Sequence, residues 1–484
     1  MSRTAVEPEA PPIAWGRVGL VSALLAVALT ATSGRYGYHR DELYFLAAAR
    51  HPDWGYADQP PLVPLLARAM AAIGPESLWL LRIPATLAAV AVVVLTALLA
   101  RALGGSANAQ LLASAAIASA AVVLGAGHLL GTTIFDLAVW AAVTLLVVHL
   151  LDGADARWWL LVGVLVGVGL LTKTLVIFLA VALLVALAIV GPRTPFRSPW
   201  LYLGGLIALA IWAPNLVWQA NNGWPQLELS RAIAAGSSGT SDSPAAFVLL
   251  QFGLVGPWLV PVWAAGLWWL ARREAWRAIP VAYALLFVFF LATGGKAYYL
   301  AGMYPVLLAA GAIAVIGWVR RGTGLRSAVL FLPVLPVARL GGTPVVAINY
   351  DAGETVGWPQ FTRQVAAVYD VLPAQQRGSA VVLTSNYGEA GAIDRFGGEV
   401  GLPDVFSGHN SFWWWGPPPE GAGPVIAVGF EPDQLMRWFG SCEQKTIIDN
   451  GLGLDNDEQG EPVVACREPR GSWTGLWPEM QRLG

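Results

Sequence analysis

The sequence predicts a polytopic α-helical membrane protein with a C-terminal α/β domain. Of its 484 residues, 56% are hydrophobic and only 12% are charged, whereas soluble domains carry about 25% charged residues. The apolar residues are gathered in stretches near the roughly 20 residues that cross a bilayer, and these stretches end near residue 340. The chain has no run of basic residues that could follow a phosphate backbone, which excludes nucleic-acid binding.

We predict about eleven membrane-spanning helices. The stretch 158–190 is too long for a single crossing, so we divide it at the Thr-Lys-Thr around Lys173. The first stretch has no small-residue cleavage site after it, which favours a retained helix over a signal peptide. The candidates are residues 14–33, 79–100, 110–126, 133–151, 158–171, 175–190, 200–218, 244–271, 279–292, 298–319 and 327–340.

The arginines predict the orientation. With a cytoplasmic N-terminus, most of them fall in cytoplasmic loops, as the positive-inside rule requires. An odd number of crossings then leaves the C-terminus outside, where Cys442 and Cys466 are expected to form a disulfide. We therefore predict a plasma-membrane protein in which residues 1–340 form the transmembrane domain, with a long first extracytoplasmic loop at 34–78. Residues 341–484 form an extracytoplasmic α/β domain, with strands at 380–384 and 425–429 and helices at 360–372 and 432–439.

The first loop carries the acidic residues of greatest interest. Asp41 and Glu42 follow the first span, and Asp58 precedes Pro60 and Pro61. A carboxylate at the outer membrane surface can have its pKa tuned for work as a general base. The alternatives are an exposed ion pair of Asp41 and Glu42 with Arg40, and a helix-capping role for Asp58. Residues 43–49 and 62–73 are predicted to form helices along the membrane.

Only three of the 29 basic residues are lysines. Lys173 and Lys296 fall at outer helix ends, against the positive-inside trend, so they are candidates for binding a phosphate. The alternative is that they snorkel to the interface. Asp136 lies early in an inward-running helix, where it could brace the first loop or simply favour the helix N-terminus.

Two aromatic groups are candidate sugar or acceptor contacts, Tyr298–Tyr299 and Trp413–Trp414. The alternative for the tryptophans is a buried aromatic cluster or an interface belt. His39, His51 and His128 are scattered and show no metal-ligand spacing. No cofactor is predicted with certainty, and a divalent metal stays open as an alternative, although ligand spacing gives it no support.

Several motifs resemble a known superfamily. The acidic pair, Asp58-Gln-Pro-Pro-Leu, Leu171-Thr-Lys and Gly295-Lys-Ala-Tyr-Tyr-Leu are similar to motifs of protein O-mannosyltransferases and lipid A aminoarabinose transferases, which have the GT-C fold. Trp212-Ala-Pro-Asn and Asn222-Gly-Trp-Pro belong to the same set, which spans residues 34 to 305. The tail, with Ser385-Asn-Tyr-Gly-Glu and Ser407-Gly-His-Asn-Ser-Phe-Trp-Trp-Trp, resembles that of actinobacterial-type members.

The resemblance implies an inverting glycosyltransferase that uses a polyprenyl-phosphate sugar. Asp41 would deprotonate the acceptor hydroxyl, and Glu42 and Asp58 would hold the acceptor or orient the loop. Lys296, Lys173 and Arg40 would neutralise the leaving phosphate. The acceptor would be a cell-envelope glycan, lipid or protein. Gln59 stands where aminoarabinose transferases carry a lysine, which argues against an aminoarabinose donor.

Two other functions remain open from the residues alone. A transporter or flippase of a lipid-linked sugar would also be polytopic, but such proteins usually have internal repeats and charges near the bilayer midplane. Here we find no repeat, and the charges gather at one face. A non-catalytic membrane scaffold with an exported recognition domain would tolerate the loss of Asp41.

Overall fold

The computed structural model describes residues 11–235, 243–314, 316, 336–343 and 345–483. The chain divides into two compact units. The first, which we call the helical unit, comprises Met1–Ala31, Ile83–Val217 and Ser241–Ala328. The second, the loop–tail unit, comprises Thr32–Arg82, Trp218–Thr240 and Val329–Gly484. The first loop therefore packs with the tail. The division predicted at residue 340 is of another kind, because it separates the transmembrane part of the chain from the extracytoplasmic part. That division stays a prediction.

The helices of eight or more residues in the described ranges are numbered here in chain order. They are α1 (Trp15–Thr32), α2 (Arg40–Arg50), α3 (Leu62–Ile73), α4 (Leu78–Ala102), α5 (Ala107–Ala118), α6 (Ala121–His128), α7 (Thr132–Leu151), α8 (Trp158–Leu170), α9 (Val176–Val190), α10 (Pro199–Asn221), α11 (Pro225–Ala234), α12 (Pro244–Val255), α13 (Val260–Ala271), α14 (Ala278–Ala292), α15 (Tyr304–Ala314), α16 (Trp358–Asp370) and α17 (Tyr387–Phe396).

The described residues contain five helical segments that are long and apolar enough to cross a membrane: α1, α4, α7, α10 and Ala297–Ala314. Two predicted spans are instead bent pairs, α5 with α6 at 58° and α12 with the Pro257–Ala271 segment at 82°. The second bend falls at Gly256, whose φ is +98°, followed by Pro257, which lacks the N–H that would continue the helix.

The prediction of several apolar helices is confirmed, but the count of eleven is not. Predicted spans 158–171, 175–190 and 279–292 are the short helices α8, α9 and α14. Of the predicted span 327–340, residues 327–335 lie outside the described residues, and Val337–Gly342 is a 3-10 helix.

Glycines allow close helix contacts inside the helical unit. A Cβ at Gly163 would meet the backbone of Gly204, so α8 and α10 approach through a glycine on each side. Gly302 lies against the indole of Trp140, which is fully buried. Small residues permit such approaches between membrane helices, where packing rather than the hydrophobic effect drives association.

The tail contains a five-stranded sheet in the order β2-β1-β3-β5-β4. Strands β1 (Val381–Thr384), β2 (Val405–Ser407) and β3 (Val425–Val428) are parallel. Strands β4 (Phe439–Ile447) and β5 (Pro462–Pro469) extend the sheet by antiparallel pairing. The predicted strands 380–384 and 425–429 correspond to β1 and β3, so the α/β nature of the tail is confirmed. Only Pro432–Leu435 of the predicted helix 432–439 is helical, because Phe439 begins β4.

A disulfide joins Cys442 of β4 to Cys466 of β5. The two residues are direct partners in the antiparallel register, with a Cα–Cα distance of 4.1 Å. The bond therefore links the two strands at the antiparallel end of the sheet.

Helices α2 and α17 pack closely inside the loop–tail unit. A Cβ at Gly388 would lie 3.3 Å from the Cβ of Arg40, and one at Gly391 would lie 3.1 Å from the Cβ of Leu43. Both distances are shorter than ordinary van der Waals contact. The glycines of Tyr-Gly-Glu-Ala-Gly-Ala thus bring the start of the tail helix α17 against the start of the first-loop helix α2.

Candidate active site

Asp41 and Glu42 lie in the first turn of α2 rather than in an irregular loop. His39 is the N-cap: its Nδ1 accepts from the Asp41 N–H over 3.2 Å, while its own N–H donates to Glu42 over 2.8 Å. This reciprocal arrangement satisfies N–H groups that a helix start leaves unpaired. The two neighbouring acids consequently point to different surroundings.

Glu42 is completely buried and paired with Arg82, which is also completely buried. The guanidinium of Arg82 donates from Nε and Nη2 to the two carboxylate oxygens of Glu42, over 2.8 and 2.7 Å. It also donates to the carbonyls of Ser33 and Gly37, both over 2.7 Å. Glu42 is thus held inside the protein, in a position that fixes the course of the first loop.

Asp41 remains accessible, with 45% of its side chain exposed. The hydroxyl of Tyr387, at the start of α17, donates to Oδ1 of Asp41 over 3.1 Å. Oδ2 lies 3.9 Å from Nδ1 of His39. Burial alone would lower the pKa of His39, but the hydrogen-bonded carboxylate of Asp351 and the charge of Asp41 together raise it. The carboxylate of Asp41 is therefore oriented by the Tyr387 hydroxyl and remains partly exposed to solvent.

Asp58 belongs to a chain of hydroxyl groups. The hydroxyl of Tyr44 donates to Oδ1 of Asp58 over 2.6 Å and lies 2.8 Å from Oγ of Ser411. The backbone N–H of Ala57 donates to that same Oγ over 3.3 Å. Because the single proton of the Tyr44 hydroxyl goes to Asp58, the Ser411 hydroxyl donates to the oxygen of Tyr44. Burial raises the pKa of Asp58 to about 6, and the charge of Asp41 adds to the rise. Helix α3 begins at Leu62 after the N-cap residue Pro61, and no side-chain hydrogen bond caps it.

Arg40 is engaged by the tail. Its Nη1 lies 2.6 Å from the carboxylate of Asp457 and 3.3 Å from that of Glu354, which is completely buried. Its guanidinium carbon lies 4.9 Å from the centre of the Tyr387 ring, a cation–π contact. The predicted phosphate role of Arg40 stays a prediction, and a phosphate would have to compete with these partners.

The helical unit contains a second group of the predicted residues. Nζ of Lys173 lies 3.3 Å from Oγ1 of Thr133 and over the rings of Tyr298 and Tyr299, 4.6 and 5.6 Å from their centres. Asp136 accepts from Nε1 of the buried Trp140 over 3.0 Å and lies within electrostatic range of Lys173. Here the structure brings together a lysine, an acid and the tyrosine pair.

Lys296 precedes the 3-10 helix Ala297–Met303, which carries Tyr298 and Tyr299. Gln251 holds this helix, because its amide donates to the carbonyl of Ala297 over 2.8 Å and its oxygen accepts from the Tyr304 hydroxyl over 2.7 Å. Lys296 is partly buried. A short, fixed segment thus carries one predicted lysine and both predicted tyrosines.

Trp413 and Trp414 lie in the short helix Ser411–Trp414 that follows β2. The indole N–H of Trp413 donates to the carbonyl of Trp477, and that of Trp477 donates to the carbonyl of Trp413, each over 2.9 Å. Trp415 stacks on His51 of the first loop at 4.3 Å between ring centres. The aromatic cluster therefore has a packing role, and any contact with a sugar stays a prediction.

Among the described residues, no group of three or more His, Cys, Asp or Glu side chains could hold a metal ion. Asp41, Asp58 and His39 have hydrogen-bond or ionic partners within the protein instead.

The structure also resembles solved structures along almost its whole length. The structure of ArnT from Cupriavidus metallidurans bound to undecaprenyl phosphate matches with a TM-score of 0.61, at 17% identity, covering 93% of this chain and 98% of that one. The apo form of the same protein matches with a TM-score of 0.60 at 18% identity, covering 94% and 98%. The chain has the GT-C fold.

The sequence itself matches one family model over about a third of the chain. Residues 58–218 match the family model of dolichyl-phosphate-mannose-protein mannosyltransferase. No curated protein sequence gives a match. The resemblance stated from the motifs is confirmed, and the chain is a membrane protein of the kind that its composition predicts.

Sequence reasoning missed four residues of the site: Arg82, Tyr44, Tyr387 and Ser411. Arg82 could have been noticed as a lone charge near the start of a long apolar helix. Tyr387 and Ser411 lie in polar stretches that follow β1 and β2. The carboxyl ends of neighbouring parallel strands meet at one edge of a sheet, so these two stretches could have been predicted to lie together. Nothing in the sequence indicated that they would meet the first loop.

Proposed function

We propose that this protein is an inverting glycosyltransferase that transfers a sugar from a polyprenyl phosphate to an acceptor hydroxyl on the extracytoplasmic face of the membrane. Its acceptor is a glycan, lipid or protein of the cell envelope. One observation carries the proposal: a partly exposed carboxylate, Asp41, follows the first apolar helix in a chain with the GT-C fold. The ArnT structure with the same fold binds undecaprenyl phosphate, which supports a polyprenyl-phosphate carrier here.

In this proposal Asp41 is the general base. It takes the proton of the acceptor hydroxyl while the oxygen attacks the anomeric carbon. The bond from that carbon to the phosphate oxygen breaks with its electron pair, and polyprenyl phosphate leaves. A single displacement inverts the anomeric configuration. The base must reach the hydroxyl directly, and the exposure of Asp41 supports that role, whereas the burial of Glu42 argues against it.

Lys296 and Lys173 stabilise the leaving phosphate, where negative charge grows in the transition state. Lys173 is held by Thr133 and by the faces of Tyr298 and Tyr299, so its ammonium group is oriented before a ligand binds. Asp58 and Glu42 orient the first loop, and Asp58 is also close enough to Asp41 for their charges to interact. Asp136 fixes Trp140 and helps to place the charge of Lys173.

The proposal places the loop–tail unit outside the bacterial plasma membrane. The disulfide between Cys442 and Cys466 supports this orientation, because disulfides persist in oxidising compartments. In intact cells these cysteines should resist a thiol reagent until a reductant is added. Ready labelling of both thiols without reductant would argue for a cytoplasmic tail.

The direct test uses the purified protein in proteoliposomes with radiolabelled polyprenyl-phosphate sugars and a detergent extract of envelope acceptors. A glycosyltransferase moves the label into a product that no longer carries the polyprenyl chain. A transporter or flippase leaves the label on its carrier and moves it across the bilayer. Label that stays on the carrier with every donor tested, with or without crossing, would overturn the proposed function.

A further inference from the structure

The tail contacts the first loop near Asp41 and Asp58, two acids of the loop that accept hydrogen bonds from hydroxyl groups. Tyr387 donates to Asp41, and Ser411 reaches Asp58 through the hydroxyl of Tyr44. We propose that the tail forms part of the catalytic site, with Tyr387 as the positioning residue that orients Asp41. This inference rests on the proposed function, since it assigns a role within that reaction.

The sheet explains why these two tail residues lie together. Tyr387 follows β1 after two residues, and Ser411 lies four residues beyond β2. Strands β1 and β2 are parallel neighbours, paired from Val382 with Val405 to Thr384 with Ser407. Ligand-binding and catalytic groups of α/β folds gather at the carboxyl ends of such strands. The tail therefore directs the functional edge of its sheet toward the acids of the first loop.

The position of Tyr387 is fixed at its backbone. It is the first residue of α17, and Asn386 is the N-cap in a capping box with Glu389. Asn386 accepts from the Glu389 N–H over 2.9 Å, and Glu389 accepts from the Asn386 N–H over 3.0 Å. The Tyr387 N–H donates to Nδ1 of His409 over 3.3 Å. Because its backbone is fixed, Tyr387 can hold its hydroxyl group in one position relative to Asp41.

The ring of Tyr387 is held as well. It lies between the guanidinium of Arg40, 4.9 Å from the ring centre, and the rings of Tyr44 and His409, each 5.1 Å away. Removing only the hydroxyl would leave these contacts in place. Tyr387→Phe therefore removes only the hydrogen bonds of the hydroxyl, the one to Asp41 and the one with the Arg40 side chain.

The charged and titratable groups that act on Asp41 come from three segments. His39 and Arg40 belong to the start of α2, Asp58 precedes α3, and Tyr387 begins α17. A hydrogen bond to a carboxylate favours its ionised form. Without the Tyr387 hydroxyl, the ionised form of Asp41 loses this hydrogen bond while the other groups around it are unchanged.

The experiment compares transfer by wild type, Tyr387→Phe and Tyr369→Phe. Tyr369 is a matched control, because it is a tail tyrosine whose hydroxyl donates only to a backbone carbonyl, that of Arg377, over 3.1 Å. Tyr387→Phe should lower kcat by about 10- to 100-fold, leave the KM for the donor unchanged and move the acidic limb of the pH profile to higher pH. Tyr369→Phe should match wild type in all three.

Difluorotyrosine at position 387 gives a second test, in which the pH profile should shift in the opposite direction. Its phenol is the stronger hydrogen-bond donor, so the acidic limb should move to lower pH while the fold is kept. Wild-type kcat and pH profile in both variants would overturn the inference and leave the proposed function intact. An equal loss of kcat in Tyr387→Phe and Tyr369→Phe, with no change of pH profile, would also overturn it. Absence of transfer by wild type would overturn both proposals.

Discussion

Arg82 and Glu42 form a completely buried pair in which two guanidinium nitrogens each donate to one carboxylate oxygen. The same guanidinium binds the carbonyls of Ser33 and Gly37, so one side chain joins two points of the first loop to the start of α2. The adjacent residue, Asp41, owes its position to this arrangement. One acid of the pair thus builds the loop and the other is available for chemistry.

Removing Arg82 should destabilise the protein strongly. In Arg82→Met, Glu42 remains buried without its cation, which costs about 3–5 kcal/mol in comparable buried pairs. Arg82→Lys keeps the charge but not the planar fork, so it should lose less. The measurement is thermal unfolding in detergent, with the exposed Arg363→Met as control. An Arg82→Met variant as stable as Arg363→Met would contradict this role of the pair.

Lys296→Ala should weaken donor binding. A hydrogen bond to a charged group contributes about 1.5–3 kcal/mol, so the KM for the polyprenyl-phosphate donor should rise by roughly 10- to 100-fold, and kcat should also fall. Lys445→Ala is the matched control, because Lys445 lies on β4 of the tail and pairs with Glu443. Equal donor affinity in the two variants would remove Lys296 from the phosphate site.

The stability of the tail should fall as pH rises toward 8. Burial raises the pKa of Glu389 to about 8, from 4.5, so the folded state binds a proton more tightly than the unfolded chain. The stabilisation is complete below about pH 4.5 and is lost as pH passes through 8, with a slope of at most about 1.4 kcal/mol per pH unit for one proton. Burial also raises the pKa values of Glu354 and Glu458, which add slope of the same sign.

Glu389→Gln isolates this contribution, because an amide oxygen can still accept from the Asn386 N–H. The variant should show a smaller fall in unfolding temperature between pH 5 and pH 8 than wild type does. The exposed Glu479→Gln should keep the wild-type slope. A Glu389→Gln variant whose unfolding temperature follows pH as wild type does would show that Glu389 is ionised throughout this range.

The sequence predicted much of the fold, because long apolar stretches have few alternatives in a membrane. The bounds of α3 were predicted at 62–73 and observed at Leu62–Ile73, since two prolines mark its start. The bends near Ala120 and Gly256 were missed, because apolar composition does not report a break in hydrogen bonding. The parallel strands β1 and β3 were predicted as short apolar runs, but β2 was not, since it has only three residues.

The site was predicted less completely. Asp41, Glu42 and Asp58 were predicted as candidates, but the sequence does not indicate that Glu42 is buried and Asp41 exposed. That difference follows from the helical turn, which directs neighbouring side chains apart, and from Arg82, which lies 40 residues away in the chain. The partners Tyr387 and Ser411 are more than 340 residues from Asp41 and Tyr44, and only tertiary packing unites them.

The central claim is that Asp41 is the base for sugar transfer. The most direct measurement is the rate of transfer from a polyprenyl-phosphate sugar by purified wild type, Asp41→Asn and Asp53→Asn, with saturating donor and equal folded protein. Asp53 is an exposed acid of the same loop and serves as the control. Loss of a general base lowers rates by about 10²- to 10⁴-fold, so Asp41→Asn should fall by that factor while Asp53→Asn keeps the wild-type rate. Wild-type transfer by Asp41→Asn would contradict the account.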